Sequence, residues 1–281
     1  MNPGSAIGLS IICLCMIHCN PDRMAGGAGA GNPPLAEVSL VIKARSTVLG
    51  KSSAVRPSAL PGSGLIAKDS LGATLFLDSI LTRVEGIDFT LPDSLDCSGF
   101  TELSCVQGEV AIKGPFTVDL LRGLAIPPLV NFRIPAGLYR KIGFEPISMG
   151  KDTLGIWDST TQNIVVWGRL MDSASSPKRF VVRLNLMEGL DFENPGGARV
   201  KPDSLNNVLL GLRADGWFHG IDMRACVADP GTGADSAGVA RLQGDGFCSG
   251  MGAKLRRNIE FSGGFDSFSG GFDSEDLNNK L

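Results

Sequence analysis

The chain has 281 residues, 43% of them hydrophobic, with 37 glycines, one tyrosine and a formal net charge of −3. Its 26 lysines and arginines are interspersed with 29 acids, which argues against a surface of clustered cations for nucleic acid. Long helical heptads are absent. Once a leader is set aside, the length suits one large β domain or two smaller ones.

Ala6 to Ile17 is a continuous apolar run, too short to cross a bilayer as a helix and right for a signal-peptide core. Cys19 follows it, then Asn20-Pro21-Asp22. A cysteine at the end of such a core resembles a lipoprotein processing site, where the thiol takes a diacylglycerol and becomes the mature N-terminus. Met16-Ile17-His18 and the Lys/Arg-free Met1 to Ser5 depart from the usual pattern around that site. Cys13 and Cys15 would leave a shorter core. Residues 1–19 therefore read as a signal peptide with Cys19 as the lipid acceptor. Residues 20–36, with the run AGGAGAGNPP, read as a flexible tether. The expected location is exported and lipid-anchored to the bacterial outer membrane or cell surface. The alternative is an ordinary secretory signal and a secreted or periplasmic protein.

Glu37 to Ala44 is the first predicted strand, and Lys51 to Lys68 a loop. Ala73 to Leu77 and Ile80 to Leu91 follow as strands, with Val84, Ile87 and Phe89 inward. Pro92 to Gly108 is an irregular excursion holding Cys97 and Cys105. Val110 to Ile112 and Phe116 to Leu121 are strands. Phe132 to Ile134 and Leu138 to Phe144 flank Pro135-Ala136-Gly137 and read as an antiparallel hairpin, because proline offers no donor and glycine accepts any turn geometry. Tyr139 would pack its ring near the turn and send its hydroxyl to a backbone group, with ligand contact as the alternative.

Asp119-Leu120-Leu121, then Ile134-Pro135-Ala136-Gly137-Leu138-Tyr139 and a basic-apolar strand, resembles a domain-of-unknown-function family of bacterial cell-surface lipoproteins. The order of segments from about Val38 to Leu212 carries the resemblance further than the motif does. The Pro-Ala-Gly-x-Tyr element also recurs in prealbumin-like and carboxypeptidase-regulatory-like sandwiches. The resemblance implies an extracellular β-sandwich and supplies no catalytic residues.

Leu154 to Trp157 and Asn163 to Gly168 read as strands around the polar turn Asp158 to Gln162. Phe180 to Leu186 alternates strictly, Leu190 to Glu193 follows, and Asn194-Pro195-Gly196-Gly197 is a strong turn signal. Asn207 to Leu212 reads as the last strand, which places the sandwich over residues 37–225. Residues 226–261 read as a disulfide-closed loop and a short helix, Ala253 to Phe261. The tail, 262–281, repeats SGGFDS at Ser262 to Ser267 and Ser269 to Ser274 and reads as mobile, although Phe265 and Phe272 could dock on the body. The expected fold is all-β: an antiparallel β-sandwich, prealbumin-like or Ig-like, with a short C-terminal helical segment.

Four cysteines lie in the body. Local pairs, Cys97 with Cys105 and Cys226 with Cys248, are favoured over zinc, since no C-x-x-C exists and His219 is the only body histidine. Trp217, Phe218, His219 and Asp222 form a possible ligand platform, or else the aromatics cap the end of the sandwich. Asp229 and Asp235 sit in a glycine-rich loop that is the sole calcium candidate, without an EF-hand's spaced acids. No other cofactor is expected. Lys254-Leu255-Arg256-Arg257 reads as a solvated helix face. The leading function is non-catalytic: binding, adhesion or envelope structure, with a glycan or another envelope protein as partner. A carbohydrate-binding module using Trp157, Trp167, Trp217 and Phe218 is the alternative, and a hydrolase with a scattered carboxylate pair is the second.

Overall fold

A computed structural model describes residues 33–46, 64–93, 95, 97–99, 103–148, 162–171, 176–186, 189–229, 238–243, 248 and 250–269. The chain divides into residues 1–32 and 33–281, and all the described residues lie in the second unit. The expected leader with Cys19, the strand expected over Leu154 to Trp157, Asp235, and the second SGGFDS copy beyond Ser269 lie outside the described residues.

Among the described residues are fourteen strands and two α-helices. The strands are β1 (Leu35–Arg45), β2 (Leu65–Lys68), β3 (Thr74–Thr90), β4 (Cys105–Val106), β5 (Glu109–Asp119), β6 (Leu124–Ile126) and β7 (Phe132–Pro135). They continue as β8 (Gly137–Pro146), β9 (Ile164–Met171), β10 (Lys178–Leu184), β11 (Leu190–Val200), β12 (Asn206–Arg213), β13 (Ala240–Gln243) and β14 (Gly263–Ser269). The helices are α1 (Met223–Ala228) and α2 (Met251–Glu260). The fold is an all-β sandwich. A four-stranded sheet runs β14-β12-β1-β7, and a ten-stranded sheet contains β11-β8-β3-β9-β10-β13 with β2, β4, β5 and β6 on its flank. Most pairs are antiparallel, but β1 with β12 and β10 with β13 are parallel. One main core fills the space between the sheets.

β3 organises the large sheet. It runs without a break through what the sequence suggests are two strands. Register shifts at Leu77/Ser79 and Val84/Gly86 interrupt its pairing. Each irregularity resets the two-residue period, so the buried set changes phase from Leu75 and Leu77, to Ile80, Thr82 and Val84, to Ile87 and Phe89.

The expected hairpin around Pro135-Ala136-Gly137 is a corner between sheets. β7 pairs with β1 in the small sheet, whereas β8 pairs with β3 on one edge and β11 on the other. β11 takes Gly137 to Phe144 on one edge of β8, and β3 takes Ile142 to Pro146 on the other. Gly137 fits because a Cβ there would stand 2.7 Å from Pro92 Cγ. The Tyr139 hydroxyl donates to the Pro135 carbonyl at 2.7 Å, and its ring meets Phe89 edge-on at 5.7 Å. Burial pushes the phenol well above its ordinary pKa. Tyr139 is fully buried.

Other boundaries also differ from the sequence reading, and the end of the expected loop Lys51 to Lys68 is β2, which pairs with β3. The tether ends early, because Leu35 and Ala36 already pair with Pro135 and Ile134. Asn194 to Gly197 is a bulge within β11, which resumes its pairing with β8 at Ala198. Asn194 Oδ1 accepts from Gly196 N at 3.0 Å, satisfying a donor the ladder drops. The sandwich also continues past residue 225, since β13 extends the large sheet and β14 the small one. The start of the tail is thus a strand, with Phe265 in the core. Gly263 lets it approach, because a Cβ there would lie 3.1 Å from the Phe192 ring. Both local disulfides are present, Cys97–Cys105 and Cys226–Cys248, with Cα separations of 5.4 and 5.5 Å. α2 buries Met251, Leu255 and Ile259, spaced four apart on one face.

Candidate functional site

Trp217 and Phe218 are both completely buried. The indole Nε1 donates to Ser262 Oγ at 3.0 Å, and Phe218 packs edge-on against Phe180 at 6.1 Å. α2 closes the segment from outside: Asn258 Nδ2 donates to the Trp217 and His219 carbonyls at 2.7 and 2.9 Å, and Lys254 Nζ to the Gly220 carbonyl at 2.7 Å. Lys254 is thereby a clamp as well as part of a solvated face. Asp222 caps α1 by accepting from Ala225 N at 3.0 Å. Below it, buried Asp69 accepts from Leu71 N and Ala73 N through Oδ1 and from Met223 N through Oδ2. Only His219 and Asp222 of the four proposed contacts are exposed. The stretch caps the sandwich, and its two aromatics cannot stack on a ligand.

The side of the large sheet turned away from the main core presents more surface chemistry. On β9, Trp167 and Arg169 project outward beside Val165. Register places Arg179 across from Arg169, Val181 across from Trp167, and Arg183 across from Val165. On the far side of β10, Arg241 of β13 pairs with Val181. Val165 and Val181 form a second apolar cluster with Leu81, Trp167 and Val239, separate from the main core. Trp167 is half-buried, with the Arg169 and Arg179 pair next along the sheet. Arg169 forks onto Asp78, with Nε–Oδ2 at 2.9 Å and Nη2–Oδ1 at 2.7 Å, and its guanidinium sits 5.8 Å from the Phe76 centroid. The bond to Asp78 raises the guanidinium's pKa further.

The other half of the same face is acidic. Asp88 on β3 lies across from Gly143 on β8, and Gly143 lies across from Asp191 on β11. Gly143 has no side chain to separate the carboxylates: a Cβ there would lie 3.7 Å from both Asp88 Cβ and Asp191 Oδ1. Glu145 pairs with Gly86, and Glu193 with Lys141. Lys141 bonds Asp191 at 2.8 Å, which raises the amine's pKa. Asp88 is held above the ordinary carboxylate range by burial, then by Glu145 and Glu109. These acids occupy an open sheet face.

No sequence motif marks this face, because its residues come from six strands. The signal was present only as alternate positions along each strand, to be assembled by register. Asp229 is half-buried at the end of α1. The described residues contain no group of three or more metal-ligating side chains. No family model matches the chain, and no curated protein matches it. Among solved structures it is similar to MbnP from Methylosinus trichosporium, at 12% identity, over 70% of this chain and 84% of that one, with a TM-score of 0.29. So loose an overlap carries no conclusion about this chain.

Proposed function

We propose that the chain is an exported, lipid-anchored and non-catalytic binding protein of the bacterial cell surface, which engages another envelope macromolecule through the outer face of its large sheet. The observation that carries the binding role is the uneven charge on that face: exposed Arg179 and Arg241 on β10 and β13 stand on one side, and Asp88, Glu145, Asp191 and Glu193 on β3, β8 and β11 on the other, while Arg169 and Lys141 are already paired with Asp78 and Asp191. Such a pattern orients a partner and speeds its approach. Export is supported by the two disulfides, which persist in oxidising compartments, and by the apolar leader that ends at Cys19.

Purified protein would be titrated against envelope fractions from cells lacking it, across a salt series. Binding should weaken by roughly tenfold or more as salt rises from about 0.05 to about 0.5 M. Salt-independent retention counts against the charged face. Intact mass of the native membrane-bound protein tests the anchor separately. The expected species starts at Cys19, carries a lipid adduct and gains about four hydrogens on reduction.

A carbohydrate-binding role is the second reading. It rests on Trp167, half-buried on the outer face with two arginines beside it. Trp167→Ala should then abolish glycan retention while charge reversals leave it nearly unchanged.

A further inference from the structure

The tail repeat is a full heptapeptide: Phe261 to Ser267 and Phe268 to Ser274 are both FSGGFDS. The structure shows what the first copy is recognised by. Ser262 Oγ accepts from the buried Trp217 Nε1 at 3.0 Å. Gly263 lies against the Phe192 ring and the Asp191 carbonyl, where a Cβ would stand 3.1 and 3.3 Å from them. Phe265 fills the core at 2% exposure, and its carbonyl accepts from Asn194 Nδ2 at 3.0 Å. The backbone pairs with β12, Gly263 across from Leu212, Phe265 across from Leu210 and Ser267 across from Val208. These contacts select a small hydroxyl, a glycine and a phenylalanine at fixed positions along an extended strand.

We propose that the groove between β11 and β12 is a binding site for an extended Ser-Gly-Gly-Phe strand, and that the chain carries two ligands for it in tandem. Residues 268–274 are the second. A slip of seven residues puts Gly270 across from Leu212, Phe272 across from Leu210 and Ser274 across from Val208. Each contact-making side chain is then replaced by an identical one. Because both copies have the same sequence, the odd period does not turn the phenylalanine outward, as a slip of odd length in an ordinary strand would. The first copy would become a seven-residue connection from α2, a modest entropic cost for a loop of that length. The first register is favoured. In it Asn207 faces Phe268 and Asn206 faces Ser269, whereas the slipped one offers Glu275 and Asp276 there. The ligand acts within its own chain, where the tether keeps its local concentration high.

The test is a double-mutant cycle in the full-length chain, read as the denaturant midpoint of unfolding. Phe265→Ser should lower the midpoint by less than half the drop of Phe265→Ser/Phe272→Ser, and Phe272→Ser alone should leave it unchanged. A double variant that fails to fold while Phe265→Ser folds gives the same answer. Equal midpoints for Phe265→Ser and the double variant, or failure of both to fold, overturn the proposal. Gly263→Val supplies an independent cycle with Gly270→Val, read the same way. Size-exclusion of Phe265→Ser should show a monomer. A dimer would mean that the second copy seats in a neighbour's groove, which overturns the assignment within one chain.

Discussion

The closed end around Trp217 and the outer side of the large sheet, where Val165, Val181 and Arg183 are buried but Arg179 and Arg241 are exposed, are made of similar ingredients, aromatic rings beside charged groups. At the closed end the residues are neighbours in the chain. Trp217 and Phe218 point inward, and the Trp217 and His219 carbonyls accept from Asn258 Nδ2. On the sheet face, Trp167, Arg179 and Arg241 come from three strands and meet only through register. In this tight segment the two adjacent rings enter the core while His219 beside them is exposed. Residues that alternate along several strands can cover one continuous surface. The comparison teaches that a dense local cluster of aromatics went into the core, and that a dispersed pattern assembled on the outer side of a sheet.

The largest expected effect breaks the closed end. Trp217→Ala should cost about 3–5 kcal/mol in chemical denaturation, from the lost ring and the orphaned Ser262 contact. A cost under about 1 kcal/mol would mean that the ring is not core. Next come the disulfides. Replacing Cys226 and Cys248 by serine should cost about 2–4 kcal/mol. The Cys97–Cys105 pair should cost less, because it closes 8 residues of sequence separation where the other closes 22.

The smallest effect concerns the acidic half of the face. Asp88 has a folded-state pKa above its ordinary 3.8. Its contribution to stability is therefore fully present below that value and is lost as pH rises through the folded pKa. Asp88→Asn should flatten the stability profile just above the ordinary carboxylate range. A profile that steepens there instead would place Asp88 beside a cation. At neutral pH the substitution should slightly stabilise the chain.

Much of the fold was legible from residues. Alternation located β1, β9 and β10, cysteine spacing gave both local pairs, and the lone tyrosine signalled a hydroxyl held by backbone. What was not legible depended on partners distant in sequence. Pro135-Ala136-Gly137 has the composition of a hairpin turn, but whether it joins two strands of one sheet or crosses between sheets is decided by what occupies the edges of β8. Asn194 to Gly197 has turn chemistry that serves a bulge equally well. β14 was the hardest to see, because Ser-Gly-Gly has poor strand propensity and is extended only through packing on Phe192 and pairing with β12. The charged face has no local signal at all, since Asp88, Gly143 and Asp191 lie far apart in the chain.

The most direct test of the binding account is a three-way comparison on envelope fractions at low salt, using wild type, Arg179→Glu/Arg241→Glu and His219→Ala, each checked for an unchanged unfolding midpoint. The sheet-face variant should lose binding by roughly tenfold or more, while His219→Ala binds as wild type does. Loss on replacing His219, with full binding by the charge-reversed sheet, would move the site to the closed end and contradict the account.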